Sequence, residues 1–159
     1  MKIKTGIGFD VHRLEDGLPF WIGGIKIEHY KGALGHSDAD CLIHAICDAL
    51  LGAAGQRDIG YHFPDTSNEF KGIDSKILLQ RTVDIVSKQG YTISNIDSII
   101  CLQKPKVKDF IPQMQQVLSE ILKLDTEDVS IKATTTEKLG YTGREEGIAA
   151  YATALIYKN

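Results

Sequence analysis

Residues 2–12, KIKTGIGFDVH, alternate with period two: Ile3, Thr5, Ile7, Phe9 and Val11 project to one side, Lys4, Gly6, Gly8, Asp10 and His12 to the other. The pattern predicts a β-strand that ends on a carboxylate and an imidazole sharing one face. Next, residues 19–27, PFWIGGIKI, read as a hairpin turning at Gly23-Gly24. From about 38 to 54 the spacing becomes helical, with Ile43, Ile46, Cys47, Leu50 and Leu51 on an apolar stripe. Ser37 or Asp38 is the expected N-cap and Gly55 the stop. Residues 56–73 lack periodicity and predict a long loop. A helix over 75–89 capped by Gly90, a strand over 91–102 and a helix over 109–123 follow, the last with Pro112 in its first turn. Strands over 129–135 and 148–157 close the chain. This order predicts an α+β fold: a mixed four-stranded sheet with helices on one face plus a small hairpin, a two-layer sandwich forming one domain over 1–159.

The 159 residues carry 18 Lys and Arg against 21 Asp and Glu, a formal charge of −3, with 43% hydrophobic and 25% charged residues. That balance argues against a disordered tail and against the basic stripe of a nucleic-acid binder. No apolar run reaches the roughly 18 residues of a membrane span. The opening MKIKTGIGFDVH turns polar too early for a signal peptide. The expected setting is therefore the cytoplasm, or an organelle matrix for a processed form. Cys41, Cys47 and Cys101, odd in number and without a CxxC spacing, are expected to be free thiols. An anionic substrate would have to find positive charge elsewhere than in the net balance.

Several residue groups carry chemistry. Asp10 and His12 suit a zinc ion, which leaves one of four positions open in catalytic sites; a solvated strand end explains the same pair. Asp40, His44 and Asp48 recur every four residues on one helical face, either as a third ligand with orienting carboxylates or as a surface stripe. His36 and Ser37 precede that helix, whose N-terminus can bind an anion or simply be capped by Ser37. In the long loop, Asp58, Ile59, Gly60, Phe63, Pro64, Asp65 and Thr66 fit either contacts to sugar hydroxyls or a structured Ω-loop. Beyond the strand over 91–102, Leu102, Lys104, Pro105, Lys106, Val107 and Lys108 set three lysines around a proline, a nucleotide or phosphate site or else a charged loop. Thr134, Thr135, Thr136 and Glu137 stack hydroxyls beside an acid, suited to phosphate and to a hard cation such as Mg²⁺, although threonine is also common in strands. Gly140, Gly143 and Arg144 add a turn with a guanidinium able to hold phosphate at two points.

Five blocks occur in order: GIGFDVHR (6–13), GHSDADCLIHAICDALLGA (35–53), DIGYHFPDT (58–66), FKGIDS (70–75) and KATTTEKLGYTGREEGIAA (132–150). Together they resemble the 2-C-methyl-D-erythritol 2,4-cyclodiphosphate synthase family of the non-mevalonate isoprenoid pathway, over nearly the whole chain. The resemblance implies a lyase. The 2-phosphate of 4-diphosphocytidyl-2-C-methyl-D-erythritol 2-phosphate attacks the β-phosphorus, a cyclic diphosphate forms and CMP leaves. It implies Zn²⁺ on Asp10, His12 and His44, with a substrate phosphate as fourth ligand, and a second cation, Mg²⁺ or Mn²⁺, at Glu137. It implies His36 and Thr135 as catalytic groups stabilising the transition state, with Ser37 at the phosphates. Asp58, Ile59 and Gly60 would hold the erythritol, and Phe63, Pro64, Asp65, Thr66 and Ser67 would form a flap. Residues 102–108 with Thr134 and Thr135 would cradle the cytidine, and Thr136 would also contact the substrate.

The family also implies a homotrimer with active sites between subunits, and places Tyr141 and Arg144 beside a central cavity that takes an isoprenoid diphosphate. At that cavity the chain has Tyr141 where the family commonly has Phe, and Glu145 where Gly is frequent. Two rival readings of the site are a phosphohydrolase using zinc-bound water and a non-catalytic trimeric binding module.

Overall fold

The computed structural model describes residues 1–159. Its first strand, β1 (Lys2–Asp16), runs past the alternating stretch. The short strands β2 (Phe20–Ile22) and β3 (Ile25–Ile27) form the expected hairpin. Gly23 and Gly24 both turn with positive φ, 62° and 79°, as a two-residue turn between twisted strands requires. A fourth strand, β4 (Lys31–Leu34), pairs antiparallel with the end of β1, from Arg13↔Leu34 to Asp16↔Lys31. Then come α1 (Cys41–Ala54), the single turn α2 (Ile59–His62), α3 (Ser75–Lys88), β5 (Thr92–Cys101), α4 (Ile111–Leu122), β6 (Val129–Thr134), the turn α5 (Gly140–Gly143) and β7 (Gly147–Lys158).

The main sheet has five strands in the order β4-β1-β7-β5-β6, all antiparallel except the β5–β6 pair, with the hairpin separate. The expected count of four strands is thus corrected to five. The strand that sequence reading overlooks is β4, four residues (KGAL) with no alternation of their own, held by the extension of β1. The long loop is corrected too, since it contains α2 and a 3₁₀ turn at Asn68–Phe70.

Helix α1 lies at the centre of the molecule, against β1 and β7 on one side and α3 on the other. Twelve of its fourteen residues are buried, so it is apolar nearly all round rather than striped. Its close approach to the sheet depends on small residues. A Cβ at Gly6 would sit 2.0 Å from the Ala49 carbonyl oxygen, and one at Gly8 1.9 Å from that of Ala45. On β7, the register partners of Asp10, Gly8 and Gly6 are Ala150, Ala152 and Ala154, all buried beneath the same helix. The helices therefore cover the glycine side of β1. Its apolar side, with Ile7 73% and Phe9 44% exposed, forms an uncovered sheet face.

Helix α1 is capped by Asp40, not by Ser37 or Asp38, because Ala39 takes a left-handed φ of 59° that interrupts the helical path. Asp40 is fully buried, and its carboxylate accepts from the backbone N–H of Ile43 (3.0 Å), Gly23 (3.0 Å) and Gly24 (2.7 Å). One side chain thus caps the helix and fastens the hairpin turn to it. Asp40→Ala is expected to orphan three N–H groups and cost roughly 2–4 kcal/mol, read as a lower urea midpoint with unchanged slope.

Candidate active site

The functional side chains meet where β1, β4 and α1 come together. Asp10 and His12 point to the helix side of β1, and His44 reaches them from one turn into α1. Asp10 Oδ2 lies 2.8 Å from His12 Nε2 and 3.2 Å from His44 Nδ1, and the two nitrogens are 3.1 Å apart. An ion bound tetrahedrally at about 2.0–2.1 Å places its ligand atoms roughly 3.3 Å apart, so this triangle fits one face of such a shell. The far side of each ring is also engaged. His12 Nδ1–H donates to the Leu34 carbonyl (3.0 Å), and His44 Nε2 lies 2.9 Å from Ser75 Oγ. His12 Nε2 and His44 Nδ1 thus converge on the Asp10 oxygen, the set of atoms a divalent cation needs.

The electrostatics agree. Burial pushes the Asp10 carboxyl up, but the adjacent His12 and His44 outweigh it and bring the pKa down to about 2. Burial lowers the His12 imidazole, and the Asp10 carboxylate more than reverses this, leaving it above its ordinary value. Asp10 is therefore anionic at neutral pH.

A cavity of about 370 Å³ opens beside this cluster. His36, Ser37, Ile59, Gly60, Phe63 and Asp65 line it together with the three ligand residues. The structure brings these candidates from three separate blocks to one cavity. His36 Nε2–H donates to the Ser67 carbonyl (2.9 Å), which ties the cavity rim to the 63–67 segment. Asp58 and Thr66 are exposed, and Asp58 makes no cap bond to α2. Helix α1 offers no free N-terminus to an anion, because Asp40 occupies it; the side chains of His36 and Ser37 face the cavity instead. The supposed surface stripe is corrected as well: Asp40 and His44 are buried, and Asp48 accepts from the Ile59 N–H (2.8 Å). A larger, more open groove of about 770 Å³ passes Arg13, Asp16, Lys31, Tyr141 and Glu146 on the other side of His12. It has no such convergence of ligating atoms.

The second set of candidates lies elsewhere. Asp10 pairs with Ala150, Ala150 with Ile100 and Ile100 with Ala133, so residues 133–134 stand three strand spacings from Asp10, about 14 Å. Thr134 pairs with Cys101, which pairs with Ala149, the partner of Val11. Thr134 thus belongs to the uncovered sheet face, opposite the Asp10 side chain. Leu102 N–H donates to the Thr134 carbonyl (2.9 Å) and Lys138 N–H to Gln103 Oε1 (3.3 Å), holding 102–108 beside 134–138. Glu137 is exposed, with a left-handed φ of 53°, and stands apart from the Asp10 cluster. Arg144 gives both arms of its fork to Glu146 at 3.1 Å. Glu145 turns to Tyr30 and Lys104 instead.

Sequence reading left out Ser75, Asp38 as a site residue and the Leu34 carbonyl. Ser75 stood inside the FKGIDS block, but it looks like an ordinary helix start, and nothing local says that it faces His44.

The comparisons with known proteins match this architecture. The sequence profile of the YgbB family covers residues 3–157, and the chain belongs to that family. It is 67% identical to the 2-C-methyl-D-erythritol 2,4-cyclodiphosphate synthase of Bacteroides fragilis, over 98% of each protein. Among solved structures it resembles the bifunctional IspDF from Campylobacter jejuni, with a TM-score of 0.95 and 42% identity; the match covers 99% of this chain and 43% of that one. It also resembles the CDP complex of IspF from Plasmodium falciparum, with a TM-score of 0.86 and 33% identity, over 99% of this chain and 97% of that one.

Proposed function

We propose that this chain is the cyclising, CMP-releasing enzyme of the non-mevalonate isoprenoid pathway. It converts 4-diphosphocytidyl-2-C-methyl-D-erythritol 2-phosphate to 2-C-methyl-D-erythritol 2,4-cyclodiphosphate. The observation that carries this reading is the Asp10, His12 and His44 triangle opening onto the cavity with His36 and Ser37, in a chain 67% identical to a synthase of that name. The attacking phosphate is ionised at neutral pH, so no base needs to create a nucleophile, and catalysis rests on positioning and charge neutralisation. Asp10, His12 and His44 hold Zn²⁺, which when bound supplies Lewis-acid polarisation of a phosphate oxygen. His36 and Ser37 contact phosphate from the cavity wall. Asp58, Ile59 and Gly60 hold the erythritol hydroxyls, and 63–67 closes over them as a flap. Residues 102–108 with 134–135 take the cytidine, Thr135 contacts the diphosphate, and Glu137 holds a second cation, Mg²⁺ or Mn²⁺.

This division of labour needs a homotrimer. Within one chain, residues 133–134 stand about 14 Å from Asp10, and Thr134 lies on the opposite sheet face. A neighbouring copy can bring its 102–108 and 134–137 segments to the cavity. The uncovered face, where Ile7, Phe9, Val11 and Tyr151 are 44–73% exposed, is the apolar surface such an assembly buries. Tyr141 and Arg144 then face the trimer axis. Residues 1–159 act as one catalytic domain, in the cytoplasm. No helix is long and apolar enough to cross a membrane.

The test is product analysis in ¹⁸O-water with Zn²⁺ and Mg²⁺ present. CMP and an unlabelled cyclic diphosphate are expected. Linear products carrying water oxygen would instead make the chain a phosphohydrolase, and tight binding without turnover would make it a binding module.

A further inference from the structure

Around His44 the structure holds a buried polar chain that none of the roles above uses. Ser75 is fully buried at the first position of α3. Its hydroxyl donates to Asp38 Oδ1, and its backbone N–H donates to Asp38 Oδ2 (3.0 Å). Asp38 is itself held in place: its N–H donates to the Ile73 carbonyl (3.1 Å), and its Oδ1 accepts from Asp40 N–H (3.2 Å). With its only proton committed to a carboxylate, Ser75 Oγ can face His44 only as an acceptor. His44 Nε2, 2.9 Å away, meets that acceptor best as an N–H donor, which leaves the Nδ1 lone pair on the Asp10 and His12 side.

A second hydroxyl also lies near His44 Nε2. Ser37 Oγ is 3.1 Å from it and accepts from the Ala39 N–H (3.1 Å). No carboxylate takes the Ser37 proton. Ser37 Oγ also lies 3.5 Å from Ser75 Oγ, and Ser37 lines the cavity.

We propose that Asp38 and Ser75 are positioning residues: they fix His44 as the Nε2–H tautomer, and so set the affinity of the Asp10, His12 and His44 site for its metal. The proposal rests on the metal reading of that site. Ligand-orienting hydrogen bonds of this kind carry about 10–100-fold in metal affinity.

The experiment uses the full-length protein with ¹⁵N-labelled histidine. In the metal-free wild type, long-range ¹H–¹⁵N spectra are expected to show His44 protonated on Nε2 alone. In Ser75→Ala that single tautomer should give way to a mixture, and the Kd for Zn²⁺, measured by chelator competition, should rise about 10–100-fold. Ser75→Thr, which keeps the hydroxyl, should recover the tautomer and most of the affinity. Asp38→Asn, which leaves the Ser75 site intact, should fall between. A metal-free wild type with His44 protonated on Nδ1 overturns the proposal. So does Ser75→Ala with unchanged tautomer and unchanged Kd. Failure of the underlying metal reading looks different: Asp10→Asn would bind Zn²⁺ as tightly as the wild type, whatever the His44 spectra of the Ser75 variants show.

Discussion

His44→Ala is expected to bind no stoichiometric Zn²⁺ and to lose turnover by about 10³-fold or more, while the chain still folds. Asp10 is ionised, its pKa brought down to about 2 against burial by His12 and His44, so the site offers a cation one carboxylate and two imidazole nitrogens. Their ligand atoms already lie 2.8–3.2 Å apart, so the site needs little rearrangement to accept a cation. Removing one of three protein ligands leaves two, fewer than a catalytic zinc site uses. The companion Asp10→Asn keeps the shape and removes the charge, and should fail in the same way. Elemental analysis of both purified variants, beside circular dichroism, checks the claim. Full metal occupancy in both would refute the ligand assignment.

The second large effect concerns the scaffold. Gly8→Val is expected to lower stability by about 3 kcal/mol or more and the thermal midpoint by roughly 6–12 °C. A Cβ there would meet three backbone atoms of α1, the Ala45 oxygen at 1.9 Å, the Ala49 nitrogen at 2.7 Å and the Ala45 carbonyl carbon at 2.9 Å. No rotamer change relieves a clash with backbone, so the central helix must lift off the sheet. The metal triangle would open with it, because His44 rides on that helix while Asp10 and His12 ride on the strand. Gly52→Ala provides the contrast. A Cβ there approaches nothing closer than the Ile7 carbonyl oxygen at 3.8 Å, and replacing a helical glycine should raise stability by about 0.5–1 kcal/mol. Differential scanning calorimetry of the two variants should therefore give midpoints that move in opposite directions. A Gly8→Val protein melting with the wild type would show that the helix does not lean on the strand backbone.

The site was legible in the sequence where its signals are local. Asp10 and His12 are two residues apart on a strand, and strand geometry alone brings them to one side. The hairpin turn at Gly23-Gly24 and the strands over 92–101 and 147–158 follow from turn chemistry and alternation. The misreadings share one cause. The strand β4 has no pattern of its own and exists because β1 extends to meet it. For Asp40, His44 and Asp48 the surface-stripe alternative stood beside the ligand reading, because spacing on one helix cannot reveal that the helix lies at the centre of the molecule. Asp40 instead serves the hairpin, His44 the metal triangle and Asp48 the turn at Ile59.

The set of parts can be read along the chain: the elements, the types of candidate ligand and the five ordered blocks that place the chain in its family. These follow from backbone sterics and side-chain chemistry within a few residues of one another. Only the tertiary structure decided which side of β1 the helices cover, how the carboxylates are used and which atoms orient His12 and His44. The reason is packing. Glycines at 6 and 8 and alanines at 150, 152 and 154 let α1 settle against the sheet backbone. That contact brings His44, Leu34 and Ser75, from three distant segments, around a single point.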